Sequence, residues 1–217
     1  DYGNGRTGQE IAERQTRLFR DAIVAADAAE GPDLDLSDFQ AYAVFHAGLG
    51  GEAGAQSIND IPSAFISLAD LERQGGGAIP VDGGTHAVTG GMLLPEAIST
   101  DGRGGLNGTL ARFFANQLGL PGLSNFEDGL PAVGDWSLMD TGNINALSAA
   151  RLGLQSLTGD PADTLLVGFI PSGMMAWSRI RLGWLTPHVV THGDTVRIAA
   201  PHIRADLPQA VRIPISA

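Results

Sequence analysis

The chain has 217 residues, 43% of them hydrophobic, with 13 basic and 24 acidic side chains that leave a net charge of −11. That length supports one substantial core, or a core with a small appendage, and the charge repels nucleic-acid phosphates and anionic membrane surfaces over most of the molecule, which argues against a nucleic-acid role. Zero cysteines exclude disulfides, thiolate metal sites and cysteine nucleophiles, and no apolar run approaches the roughly 18 residues of a spanning helix.

The chain does not open with the basic, apolar, small-residue pattern of an export signal, so any such signal is expected upstream of Asp1. Thr7 and Glu10 stand at capping-box spacing. Ile11, Leu18, Phe19, Ala22, Ile23 and Ala26 then recur at three- and four-residue intervals until Gly31 and Pro32 stop the pattern. This predicts an amphipathic helix of about five to six turns whose Arg and Asp residues form a solvated face. Phe39 to His46 is rich in aromatic and branched residues and ends at Ala47 and Gly48, which reads as a central strand entering a Gly-rich loop.

Gly50 to Asp60 reads as a loop carrying Glu52 and Asp60, with a strand expected within Ile61 to Leu71 and a turn at Gly75 to Gly77. Thr85 to Thr89 and Gly91 to Pro95 read as two short strands meeting near Gly90 at a sheet edge. A helix is expected from an Asn107 cap to Leu118, stopped by Gly119 with Pro121 beyond it. Residues 123–170 read as loop with short apolar pieces, Ser172 to Leu182 as a last amphipathic helix ended by Gly183, and Val189 to Ala217 as short strands opening a β-rich unit. Strands interleaved with helices place the chain in the α/β or α+β layer classes.

Five histidines are present: His46, His86, His188, His192 and His202. His188 and His192 have the spacing that chelates zinc on a helix, where such side chains lie about 5–6 Å apart. The intervening Val189, Val190 and Thr191 are all branched and point instead to a strand, on which the pair separates to about 13 Å. His46, at a strand end beside the loop that carries Glu52, occupies a place where loops often bear functional groups; a hydrogen-bonded structural role is the alternative.

Four segments stand in a fixed order: FHAGLGGEAG at 45–54, GLNGTLARFFANQLGLPGL at 105–123, AVGDWSLMDTG at 132–142 and AWSRIRLGWLTP at 176–187. Together they resemble the immune inhibitor A-like metallopeptidases over about residues 38–190. The resemblance implies a metzincin-like α/β (α+β) fold in residues 1–187: a twisted mixed sheet, a long helix behind it, the 107–118 helix across the cleft and a C-terminal helix, with 188–217 a β-rich extension. Such enzymes hold zinc with a His-Glu-x-x-His helix whose Glu activates the bound water. A further acidic ligand follows beyond the Gly, and a methionine turn lies beneath the metal.

Carried over, the first His position is Arg112, the Glu position Phe113, the second His position Asn116 and the downstream acid Gly122, while Met139 matches the methionine turn. A guanidinium repels a divalent cation and Phe113 cannot take a proton, so the family's chemistry is expected to be absent, with no metal or cofactor. Arg112 and Asn116 share a helix face and are expected to form a polar network in place of the metal, with Arg112 paired to Glu96, Asp135 or Asp140. The cleft would receive an extended peptide along the sheet edge. Met139, Trp136, Trp177, Ile180 and Trp184 are expected to pack the interior.

The expected function is thus a catalytically inactive, protein-binding or structural subunit of an extracytoplasmic assembly, the location being implied by the resemblance. One alternative is a hydrolase with a relocated site at His46, Glu52 and Asp60, which requires those side chains to converge. Another is a protease recruiting metal through His46 or His86.

Overall fold

The structure is a computed structural model that describes residues 7–50, 57, 59–74, 76–124, 130–152, 165–191, 193, 195–200 and 206–215. Helix α1 (Gly8–Glu30) starts where the cap spacing places it: Thr7 Oγ1 accepts the Glu10 N–H at 3.2 Å, and Gly31, at φ 51°, ends it. Its buried Phe19 and Ile23 enter a core with Leu36, Ile66, Leu71, Ile79, Val81 and Val88. The polar face is less solvated than expected. Gln15 and Thr16 are buried, Gln15 Nε2 donates to Pro62 O at 2.7 Å, Arg20 Nη2 donates to Gly77 O at 2.7 Å, and Asp27 accepts the Asp82 N–H at 2.9 Å. Irregular segments pack onto the helix here, and their backbone groups need partners that the helix side chains supply.

The main sheet contains β1 (Ala43–Leu49), β2 (Ala64–Ile66) and β5 (Gly91–Ala97) in the order β1-β5-β2, with β1 parallel and β2 antiparallel to β5. The strand expected at an edge is therefore central, and the one expected to be central is an edge. Burial explains the exchange. Met92, Leu93, Leu94 and Pro95 are all buried, as a strand covered on both faces requires, whereas Phe45 of β1 is exposed. Pro95 has no N–H to give a ladder; it stands opposite His46, where the register shifts before Leu49, the kind of irregularity that admits proline to a sheet.

Between β2 and the hairpin β3 (Ile79–Val81) and β4 (His86–Val88) lies a helix not anticipated, α2 (Leu68–Arg73). A capping box starts it: Ser67 Oγ accepts the Asp70 N–H and Asp70 Oδ2 accepts the Ser67 N–H, while Leu71 is driven into the core.

Helix α3 (Asn107–Gln117) ends in a Schellman turn, with Leu120 N–H donating to Ala115 O and Gly119 N–H to Asn116 O; Gly119 takes φ 92°, which a side chain would strain. Asn107 is its first residue rather than its cap and donates from Nδ2 to Phe169 O. Two small pairs follow, β6 (Ala146–Ser148) with β7 (Leu165–Val167), antiparallel, and β8 (His188–Val189) with β9 (Val211–Arg212), parallel. Helix α4 (Ala176–Arg181) begins later than expected because Ser172 is held outside it: its N–H donates to Gly142 O and its hydroxyl to Asp135 O.

A second core joins Ala115, Leu120, Leu138 and Met139 with the half-buried Leu123, Met174 and Leu182. The tryptophans stay out of it. Trp136 is 86% exposed, and Trp177 and Trp184 are also exposed, Trp177 facing the Arg181 guanidinium 5.6 Å from its ring centre. A six-residue helix has one inward stripe, and Ser178 and Leu182 take it. The described residues thus form a mixed α/β structure of four α-helices and several small sheets, compatible with the α+β class. No helix among them is long and apolar enough to cross a membrane.

Candidate functional site

Helix α3 approaches the 141–144 segment so closely that a Cβ on Gly108 would overlap the Asn143 carbonyl oxygen. Beside this contact lies a cavity of about 700 Å³, walled by the residues after β5 (Ile98 to Asp101), the 103–105 turn, the 141–144 segment, and Thr109, Arg112 and Phe113 of α3. At its mouth Arg103 pairs with Asp101 at 3.3 Å, both about half exposed.

Arg112 is half-buried in the wall of this cavity. Its Nη1 donates to Asn143 Oδ1 across a long 3.5 Å, and its buried Nε has no hydrogen-bond partner among the described residues. Burial pushes the guanidinium below its ordinary pKa, against the attraction of Asp140. The expected ion pair does not form: among the described residues Arg112 meets neither Glu96, Asp135 nor Asp140 in a salt bridge.

The reason lies in what those acids already hold. Glu96 points to solvent. Asp135 Oδ1 accepts the Thr141 hydroxyl at 2.7 Å. Asp140 is fully buried, with Oδ2 accepting the Val133 and Gly134 N–H groups at 2.7 and 2.9 Å and Oδ1 accepting the Ser124 hydroxyl at 3.2 Å and the Thr141 N–H at 3.0 Å. Burial opposes the charge on Asp140, but these donors outweigh it and hold the carboxyl below its ordinary value. Asp140 therefore acts on Arg112 through space and not as a hydrogen-bonded partner.

Asn116 also departs from the expected network. Its Nδ2 donates to Leu120 O at 2.8 Å, in the turn that follows α3, so its amide group braces that turn and not Arg112. The residue that does touch Arg112 is Asn143, which sequence reasoning missed. Gly122 lies alongside: a Cβ there would stand 3.4 Å from Arg112 Nη2. Phe113 lines the cavity, and Met139 is fully buried beneath α3 in the cluster that includes Ala115, with its carbonyl accepting the Leu123 N–H at 2.9 Å.

Of the second set of candidates, His46 and Asp60 are among the described residues, and each engages the main chain. Both ring nitrogens of the half-buried His46 face main-chain carbonyls, Nδ1 that of Ala47 and Nε2 that of Ile61, each at 3.0 Å. Asp60 is buried and accepts the Ser57 N–H at 3.0 Å. Glu52 lies outside the described residues, as do His192 and His202. His86 Nε2 sits 3.0 Å from the Tyr42 hydroxyl, in a different sheet from His46. His188 is exposed and belongs to β8, the two-residue strand that opens the segment expected to be extended. Among the described residues no three His, Cys, Asp or Glu side chains stand together as a metal site. In comparisons with protein-family models, curated proteins and solved structures, nothing matches the chain.

Proposed function

We propose that the chain is a metzincin-like scaffold whose cleft binds a protein or peptide without cutting it, as a subunit of an extracytoplasmic assembly. The observation that supports this most is the placement of the four replaced positions. Arg112 and Phe113 line one cavity, and Gly122 comes against the Arg112 guanidinium although it lies beyond the helix stop. Asn116 is one turn further along the same helix, and Met139 is packed beneath it. These are the relations that the resemblance implies for ligand, base and methionine positions.

The residues present do not fit zinc. Arg112 offers only N–H donors and a positive charge, Phe113 offers no lone pair, and Asn116 has a neutral carboxamide whose Nδ2 is held on Leu120 O. The extracytoplasmic location rests on the resemblance alone.

The test is to restore the site. The variant carrying Arg112→His, Phe113→Glu, Asn116→His and Gly122→Asp, purified without chelator, is expected to bind one zinc per chain while the wild type binds none. A folded variant that takes up no zinc would overturn the metzincin-like reading of α3. Hydrolysis of a peptide library by the purified wild-type protein would overturn the non-catalytic one. Isolation of the native protein from its source with a stable partner is the expected result for an assembly subunit.

A further inference from the structure

We propose that the cavity beside α3 is a receptor for an apolar carboxylate, which the Arg112 guanidinium holds by its charged end. The inference rests on the binding role proposed for the cleft and gives that role a chemistry. Arg112 lines the cavity, and among the described residues its buried Nε has no partner and its Nη1 makes a single long hydrogen bond to a neutral carboxamide. A guanidinium presents its N–H groups as a planar fork that matches the two oxygens of a carboxylate, and a half-buried cation with no hydrogen-bonded counter-charge is costly. The acid that acts on it, Asp140, already has both oxygens occupied. It attracts the guanidinium through space without closing on it.

Space and polarity select the rest of the ligand. Gly122 has no side chain to fill the region beside Arg112 Nη2. Ile98, Phe113, Ile144 and Val167 make much of the wall apolar. A volume of about 700 Å³ falls within the usual range for pockets that enclose small molecules or short chain ends. The molecule's net charge of −11 repels a polyacidic ligand, so the carboxylate has to be a single charge on an apolar body. The C-terminus of a peptide with an apolar last residue and a free aliphatic acid both meet that description.

Calorimetry on the whole chain with three probes separates them: an N-acetylated peptide ending in leucine, the same peptide amidated at its C-terminus, and octanoate. The acid peptide is expected to bind at least about tenfold more tightly than its amide, the difference made by a charge-assisted hydrogen bond. The preference is expected to vanish in Arg112→Gln, which keeps a donor for Asn143. Octanoate displacing the peptide identifies a free acid as sufficient; failure to displace it assigns the site to a peptide end. Should the variant not fold, the arginine Nε–H signals of the ¹⁵N-labelled wild-type protein serve instead, one moving with the acid peptide and none with the amide. Equal binding of acid and amide, or no binding of any probe at millimolar concentration, overturns the carboxylate site. Neither result touches the zinc-restoration test, so failure here and failure of the scaffold reading are distinguishable.

Discussion

Replacing Asp140 by Asn is the sharpest test of how the cavity is held. The two side chains have nearly the same shape, but the carboxamide has one acceptor oxygen where the carboxylate has two. Asp140 faces two pairs of donors, the Val133 and Gly134 N–H groups on Oδ2 and the Ser124 hydroxyl with the Thr141 N–H on Oδ1. The least damaging orientation puts the new NH₂ towards Ser124, whose hydroxyl can turn to accept, and leaves the Thr141 N–H facing a donor. One backbone hydrogen bond is then lost and two others fall from charged to neutral strength, together about 3–5 kcal/mol. Relief of the buried charge returns about 1 kcal/mol, for a net loss of about 2–4 kcal/mol. At about 2–4 °C per kcal/mol for a chain of this size, Tm falls by about 4–16 °C. Urea denaturation of both proteins at neutral pH measures the difference.

The pH dependence supplies a second reading of the same substitution. The folded-state pKa of Asp140 lies below its ordinary value of 3.8, so the carboxylate's contribution is complete above that value and is lost as the pH falls through the lower folded value. The stability curves of wild type and Asp140→Asn should therefore approach each other at the acid end. A variant within about 0.5 kcal/mol of wild type at neutral pH, the range of ordinary surface changes, would refute the reasoning, as would a gap that stays constant into acid.

Gly108→Ala drives a methyl group against the Asn143 carbonyl oxygen and is expected to cost about 1–3 kcal/mol through overpacking, read by thermal denaturation. Because the clash displaces the residue that touches Arg112, the acid-over-amide preference should weaken as well. Arg112→Met removes a desolvated cation and is expected to leave stability unchanged or raise it by about 1 kcal/mol while abolishing that preference. A loss of several kcal/mol in this variant would mean that Arg112 is a structural residue.

The parts of the fold legible in the sequence are those whose causes are local. Thr7, Glu10 and Gly31 delimit α1, and Gly119 and Gly183 stop α3 and α4, because caps and left-handed turns act within one helical turn. Helix α2 escaped because six residues carry too little periodicity; its only signal was the Ser67 and Asp70 pair. The sheet order depended on which strand is covered on both faces, and the short run from Gly91 to Pro95 looks alike in either place until α1 and α3 pack against it. Residue type places Trp136 in the interior, yet it stands outside, on the turn that Asp135 and Thr141 close.

In the site itself, the position of Arg112 was legible and its partner was not. The expected ion pair assumed that the nearest acid would be free. Asp140 is consumed by the loop it organises, a fact that depends on the backbone of Val133 and Gly134 and on no side-chain pattern. Asn143 reaches Arg112 only because Gly108 lets two segments touch, so the contact is legible once that close approach is known.

The proposed scaffold and the proposed ligand meet at Arg112. At a zinc site the metal draws a carbonyl oxygen of the uncut peptide and, after cleavage, a carboxylate oxygen of the new chain end. In the proposed scaffold, Arg112 at the first ligand position would keep a positive charge in the cleft wall but spread it over a fork suited to two oxygens. Phe113 at the proposed base position would supply apolar surface and no base. The same cleft then favours the state that resembles a cleaved product over the state that resembles a substrate, so its selectivity should follow the presence of a free chain end more than the residues before it. Extending the leucine peptide by one amidated residue tests this: affinity should fall to that of the amide, although the leucine side chain is still present. A cleft that reads internal sequence would hold the extended peptide as tightly as the acid, and that result would break the link between scaffold and ligand.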